Sequence, residues 1–347
     1  PSAVHCEPCT VNHICTWIYL DSPEESSEYP QVGKKSHLAE FQKVYWKCVA
    51  VFFACSTRTN PNSRHLLFTN KRQEALPEVE GLDLKSYLSS LNVEVITLPL
   101  RWQTPEGYFG KWRNQFYIFD ILQFIENQYV TQPGAALSDE NYVILDSDCI
   151  VNRPLDGLFA EINRSGLLTL PMPYSDTHDI NGVTREEMRR IYAELDGNDP
   201  GGNPVYYGGE IFAASLDTVR KINRIAPKVW ETMMQRFREG KPRLNEEAHF
   251  LSYCYHKIGN FGSLEPYIKR IWTAPQYSNV APEDARLPIW HLPSEKTGGI
   301  ALIFEKLKTR NWSMDDLGGY LGVPGRTKYL DWKHRLRYTK LYKWLKR

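Results

Sequence analysis

Asp146-Ser147-Asp148 sets two carboxylates two residues apart, directly after the apolar run Tyr142–Leu145. Carboxylate oxygens at this spacing can converge on one hard divalent cation, Mg²⁺ or Mn²⁺. A cation held there neutralises a diphosphate and makes it a better leaving group. The spacing is common on its own, but here it lies within YVILDSDCIVNRPLDGLF, an apolar strand, two acids and a second apolar strand. Lys111 and Arg113 offer cations near the expected start of a helix, and the Arg fork matches phosphate oxygens. Tyr206-Tyr207-Gly208-Gly209-Glu210 combines flat aromatic faces with paired glycines that allow close backbone approach to a ligand. Asn245-Glu246-Glu247-Ala248-His249 opens a helix, with Asn245 in the position of an N-cap.

These residues need a scaffold, and the pattern of the chain supplies one. His13–Leu20, Arg64–Thr69, Val93–Leu98 and Tyr142–Leu145 read as strands. His37–Cys55, Leu84–Leu91 and Lys111–Glu126 read as helices, the last with Phe116, Phe119, Leu122 and Ile125 at helical spacing. Alternating strands and helices predict an α/β fold: one Rossmann-like, mostly parallel central sheet flanked by helices. In such sheets ligands gather at the carboxyl ends of the strands, where Asp146 and Asp148 fall.

The run through Asp146 and Asp148 resembles the metal-binding segment of retaining GT-A glycosyltransferases, above all family 8. The resemblance covers about residues 13–299 in order of elements and is confined to short blocks of sequence. It implies that Asp148 coordinates the metal and that Asp146 contacts the metal or the donor ribose. It implies that Lys111 and Arg113 lie near the donor diphosphate. Trp290-His291-Leu292-Pro293 with Lys296 resembles the family 8 ending, in which the His is the third metal ligand and the Lys meets the diphosphate. Here the two are five residues apart rather than six, and the family's Gly and Pro-Trp are missing. Tyr206–Ser215 and Asn245–Phe250 resemble segments of family 6. They imply that Glu246 binds donor-sugar hydroxyls and that Glu247 acts as nucleophile or cation stabiliser. Tyr207, Gly208, Gly209 and Glu210 then face the acceptor.

The resemblance thus implies an enzyme, a metal-dependent hexosyltransferase of polysaccharide or lipopolysaccharide synthesis. Its cofactor would be Mn²⁺ or Mg²⁺, its donor a nucleoside-diphosphate sugar such as a UDP-sugar, and its acceptor a glycan or glycolipid hydroxyl. An inverting GT-A enzyme with Glu246, Glu247 or Glu210 as general base is the alternative within the class. A sugar nucleotidyltransferase is disfavoured, because the loop Asp21–Glu28 is acidic and lacks glycine. A glycan- or membrane-binding module is the non-enzyme alternative.

The chain has 347 residues and a formal net charge of +1, which argues against a uniformly basic nucleic-acid binder. That +1 hides an asymmetry. Residues 326–347 carry nine Lys+Arg and one acid, leaving 33 basic against 40 acidic residues for 1–325. The expected organisation is a GT-A domain over 1–325, with a nucleotide-binding half at about 13–152 and an acceptor half at about 153–300. A helical, basic and aromatic tail over 326–347 would lie on an anionic membrane surface. The expected location is cytoplasmic and peripheral to a membrane. The sequons at Asn163 and Asn311 keep a secretory lumen as the alternative. Of seven cysteines, Cys48, Cys55, Cys149 and Cys254 read as small buried hydrophobes, and Cys6 and Cys9 as unpaired thiols.

Overall fold

The computed structural model describes residues 10–27, 32–33, 35–130, 140–310, 312–326, 330–332 and 335. Along the chain, β1 (Val11–Ile18) leads to α1 (Ala39–Thr59), β2 (Arg64–Thr69), β3 (Glu78–Val79), β4 (Leu82–Asp83), α2 (Leu84–Ser90) and β5 (Val93–Thr97). Next come α3 (Tyr117–Val130), β6 (Glu140–Leu145), β7 (Cys149–Val151), α4 (Asp156–Ser165), β8 (Leu167–Thr169) and α5 (Arg185–Asp196). β9 (Ile211–Ser215), α6 (Leu216–Arg238) and α7 (Glu247–Ile258) follow. The remainder holds β10 (Gly262–Ser263), β11 (Ile268–Arg270), β12 (Ile289–His291), α8 (Gly299–Lys308) and α9 (Leu317–Leu321). The fold is mixed α/β with a central, mostly parallel sheet flanked by helices, as the alternating pattern predicts.

Two compact units divide these elements. The first comprises Pro1–His13, Leu98–Ile144 and Gly157–Glu265. Its strands run in the order β10-β8-β9-β6, with β8 and β9 antiparallel. Its core is aromatic: Phe116 meets Phe250 edge-on at 4.8 Å and Trp230 at 5.3 Å. These contacts join the turn before α3 to α6 and α7, and so fix the start of α7, where the acidic residues lie. Each terminus has a local cause. Ser215 caps α6 through Thr218 N–H, Thr184 and Glu187 form a capping box on α5, and Gly259 ends α7 in the left-handed region.

The second unit comprises Ile14–Thr97, Leu145–Asp156 and Pro266–Arg347. Its strands run β1-β2-β5, with β2 and β5 parallel over five residues. A smaller sheet orders β11-β12-β7, with β12 antiparallel to β7. α1 is buried on all sides from Cys48 to Ser56, because it packs against α2, α8 and β7 at once.

The helix expected from Lys111 starts later, at Tyr117. Trp112 has φ +46°, a left-handed conformation that no helix continues through, and residues 113–116 form turns. Lys111 and Arg113 therefore precede the helix instead of lying in its first turn. α7 begins at Glu247 with Glu246 as its N-cap, so Asn245 is not the cap. Cys48, Cys55, Cys149 and Cys254 are free and buried, as is Cys15. Cys6 and Cys9, Asn311 and most of the basic tail lie outside the described residues. Arg326, counted above with the tail, is held in the second unit by a buried ion pair with Glu295. Among the described residues, no helix is long and apolar enough to cross a membrane.

Candidate functional site

In the second unit the acidic pair follows β6 in a tight turn. Cys149 N–H donates to the Asp146 carbonyl at 3.0 Å, and the Thr16 hydroxyl donates to the Leu145 carbonyl at 2.8 Å. The antiparallel register then sets Cys149 opposite His291. Leu292 N–H donates to the Asp148 carbonyl at 3.1 Å, which closes the same corner. His291 Nε2 thereby stands 3.4 Å from Asp148 Oδ2 and 3.7 Å from Asp146 Oδ2. One ligand atom from each of the three residues lies within 4.8 Å of the other two. Asp148 and His291 are buried and Asp146 is half-buried. Two carboxylate oxygens and an imidazole nitrogen form a donor set for a six-coordinate divalent ion. Three protein ligands would leave further positions on such an ion open.

Lys296 completes this group. Its ammonium pairs with Asp148 Oδ2 and lies 5.7 Å from the centre of the Tyr45 ring. Burial alone would push the Asp148 carboxyl up. The Lys296 and His291 charges overturn that and hold it well below the usual carboxylate range. Burial likewise opposes the charge on Lys296, and Asp148 more than compensates. The backbone around Lys296 is fixed by its neighbour. Glu295 is fully buried, accepts from Gly299 N–H at 2.6 Å, and is also bonded by Thr273 and Arg326. A Cβ on Gly299 would stand 2.5 Å from the Tyr320 carbonyl and 2.9 Å from Glu295 Oε2, so only glycine fits there.

The first unit gathers a second cluster. Glu246 accepts from the Tyr206 hydroxyl and from the Asn181 amide, each at 2.6 Å. Asn181 sits in a two-residue hairpin turn with Gly182. Both have positive φ, and Ile180 and Val183 exchange backbone hydrogen bonds across the turn. Asn245, rather than capping the helix, donates its amide to the Asn181 carbonyl at 2.9 Å. His249 is wholly buried, 3.6 Å from Glu246 Oε1 and edge-on to Tyr206. Burial pushes its pKa down to about 3, with the Ile180 backbone opposing, so the ring is neutral at pH 7.

The paired glycines are explained by space. A Cβ on Gly208 would lie 2.9 Å from the Glu210 carboxyl carbon. One on Gly209 would lie 2.6 Å from Glu247 Oε1 and 3.1 Å from Ala248 Cβ. Each glycine thus makes room for one carboxylate. Tyr207 N–H donates to the Ser252 hydroxyl at 3.0 Å, and its ring packs edge-on against Tyr255 and Phe261. Burial raises the Tyr207 phenol.

Asp146, Asp148, His291 and Lys296 are therefore brought together in one unit, and Glu210, Glu246, Glu247, Tyr207, Gly208 and Gly209 belong to the other. Arg113 exchanges side-chain-to-backbone bonds with Thr104, at 3.2 and 3.4 Å, and Lys111 is exposed with its ammonium 5.9 Å from the Trp112 ring. Asn181 and Glu295 were not among the expected site residues, and Tyr206 and His249 lay within the expected blocks without an assigned role. The Asn-Gly pair between Ile180 and Val183 is the signal that would have found the hairpin.

No family profile and no curated protein matches this chain. Among solved structures, the galactosyltransferase LgtC in complex with donor and acceptor sugar analogs aligns at 10% identity with a TM-score of 0.42, covering 80% of this chain and 86% of that one.

Proposed function

We propose that this protein is a metal-dependent glycosyltransferase of the GT-A type. It moves a hexose from a nucleoside-diphosphate donor, such as a UDP-sugar, to a glycan or glycolipid hydroxyl with retention of configuration. The observation that carries this reading is the convergence of Asp146, Asp148 and His291 within 4.8 Å, beside the Lys296 ammonium. Asp146, Asp148 and His291 would hold Mn²⁺ or Mg²⁺, and the held cation would supply positive charge against the departing diphosphate. Lys296 adds a buried positive charge to the same site, and Arg113 and Lys111 are the further cations that the family resemblance assigns to the diphosphate. Glu246, oriented by Tyr206 and Asn181, accepts from donor-sugar hydroxyls. Glu247 is the carboxylate that the family resemblance assigns to the anomeric carbon, from which the diphosphate leaves with the electron pair of the broken C–O bond. Its carboxylate stabilises the oxocarbenium-like centre or bonds to it. Glu210, Tyr207, Gly208 and Gly209 line the acceptor side. The tail after Arg326 brings the enzyme to an anionic membrane carrying the acceptor.

The test is a screen of sugar nucleotides for hydrolysis and transfer, with and without Mn²⁺, on wild type and Asp148→Asn. Metal-dependent release of the nucleoside diphosphate by wild type, lost in the variant, is the expected result. Turnover that ignores both the metal and Asp148 refutes the reading. NMR of the product's anomeric proton decides between retention and inversion.

A further inference from the structure

A cavity of about 420 Å³ lies in the second unit among α1, α2 and α8, lined by Arg58, Tyr87, Leu91, Leu307, Arg310 and Trp312. None of these belongs to the group around Asp148, so this site is independent of the function proposed above. Its walls carry positive charge over an apolar base: Leu307 is buried, and Arg58 and Arg310 are exposed. Neither guanidinium has a carboxylate partner among the described residues. The Arg58 guanidinium carbon instead lies over the Trp312 ring, 4.0 Å from its centre. A cation–π contact of this kind holds the guanidinium in place without using its N–H donors on a carboxylate. The third nearby cation, Lys308, is already satisfied by Glu305 at 2.6 Å and by the Glu80 carbonyl at 3.0 Å.

The backbone supports the same arrangement. Arg310 has φ +55°, uncommon for a residue with a side chain, just past the end of α8. Its N–H bonds back to the Leu307 carbonyl at 3.0 Å, so the chain turns sharply before Trp312. A backbone conformation of this kind persists where the surroundings over-determine it.

We propose that this pocket binds a phosphate monoester carried on a flat or apolar group. Two uncompensated guanidinia supply paired N–H donors for phosphate oxygens, and Tyr87, Trp312 and the leucines cover the organic part. The volume falls within the usual range for a small-ligand site. A soluble ester and a lipid phosphate headgroup share this chemistry.

The probe is phenyl phosphate, titrated into the full chain while the Trp312 indole N–H resonance is followed. That resonance is assigned by its disappearance in Trp312→Phe. Saturable movement is expected in wild type, with affinity falling by about tenfold or more in Arg58→Gln/Arg310→Gln. Both positions are exposed, so circular dichroism of the double variant should match wild type. Arg58→Lys/Arg310→Lys, which keeps the charge but loses the fork, should fall between the two. A resonance that phenyl phosphate does not move, or moves equally in the Gln variant, overturns the proposal. Phosphatidylcholine vesicles with and without phosphatidic acid then identify the source. Sedimentation that needs both phosphatidic acid and the two arginines assigns the lipid headgroup, and sedimentation indifferent to the arginines assigns the soluble ester.

Discussion

Replacing Lys296 by Met removes a positive charge from a carboxylate that has almost no access to water. Asp148 is 2% exposed and Lys296 7%, so solvent cannot substitute for the lost ammonium. Breaking a buried pair from one side costs about 3–5 kcal/mol, because the remaining charge is left uncompensated. Met keeps most of the side-chain volume, so the loss is mainly electrostatic. The metal-free variant should therefore show an unfolding free energy lower by about 3–5 kcal/mol in a denaturant titration at neutral pH. Mn²⁺ should restore much of it. A ligand at a hundred times its dissociation constant adds about 2.7 kcal/mol to the folded state, and a cation between Asp146, Asp148 and His291 supplies the charge that Lys296 no longer does. Asp148→Asn/Lys296→Met should be less destabilised than Lys296→Met alone, since no net charge remains buried. A loss under about 1 kcal/mol in the single variant would refute the electrostatic argument. Absence of any Mn²⁺ effect on wild type and variant alike would refute the metal site.

Gly209→Ala should displace the Glu247 carboxylate, at a stability cost of about 1–3 kcal/mol and a fall in donor turnover of about a hundredfold. Gly202→Ala, where a Cβ meets nothing within 4 Å, should match wild type in both assays. Stability should also decline below neutral pH in a window set by His249. Its folded pKa of about 3 lies below the ordinary 6.5, so the unfolded chain takes up a proton that the folded chain refuses. The contribution at neutral pH is thus lost as pH falls from about 6.5 toward 3, at up to about 1.4 kcal/mol per pH unit. Asp148 adds to the decline only below about pH 4, where its unfolded form protonates. Denaturant titrations of His249→Gln from pH 7 to about 4 should show a shallower slope, and an unchanged slope would count against the buried neutral ring.

The strands β1, β2, β5 and β6, the helices α1 and α2 and the Asp-x-Asp turn could be read from the sequence because periodicity and adjacency are local properties. His291 was expected only through the family resemblance of its segment, and the register of β12 against β7 is what brings it beside the acidic pair. Two errors have a shared cause. The Lys111–Glu126 periodicity is helical throughout, yet the left-handed backbone at Trp112 and the following turns delay the helix, and no residue type announces them. Asn245 looks like a cap, yet its amide is taken by Asn181. The contacts that sequence reasoning missed are long-range: Asn181 with Glu246 spans 65 positions, and Glu295 with Arg326 spans 31. A charge count assigned Arg326 to the tail because composition cannot tell a solvated arginine from a buried one.

The Asn181-Gly182 turn also bears on how the molecule ages. Asn-Gly is the dipeptide most prone to lose its side-chain ammonia, through attack of the following backbone nitrogen on the amide carbonyl. Here that nitrogen donates to the Asp179 carboxylate at 2.6 Å, and the departing amide group is bonded to Glu246 at the same distance. The native fold therefore engages both the nucleophile and the leaving group, and a chain that opens locally releases both. Conversion to aspartate would exchange a donor to Glu246 for a second negative charge beside it. Slow chemical wear at one exposed turn would thus be felt at a buried carboxylate, in protein whose backbone is otherwise intact.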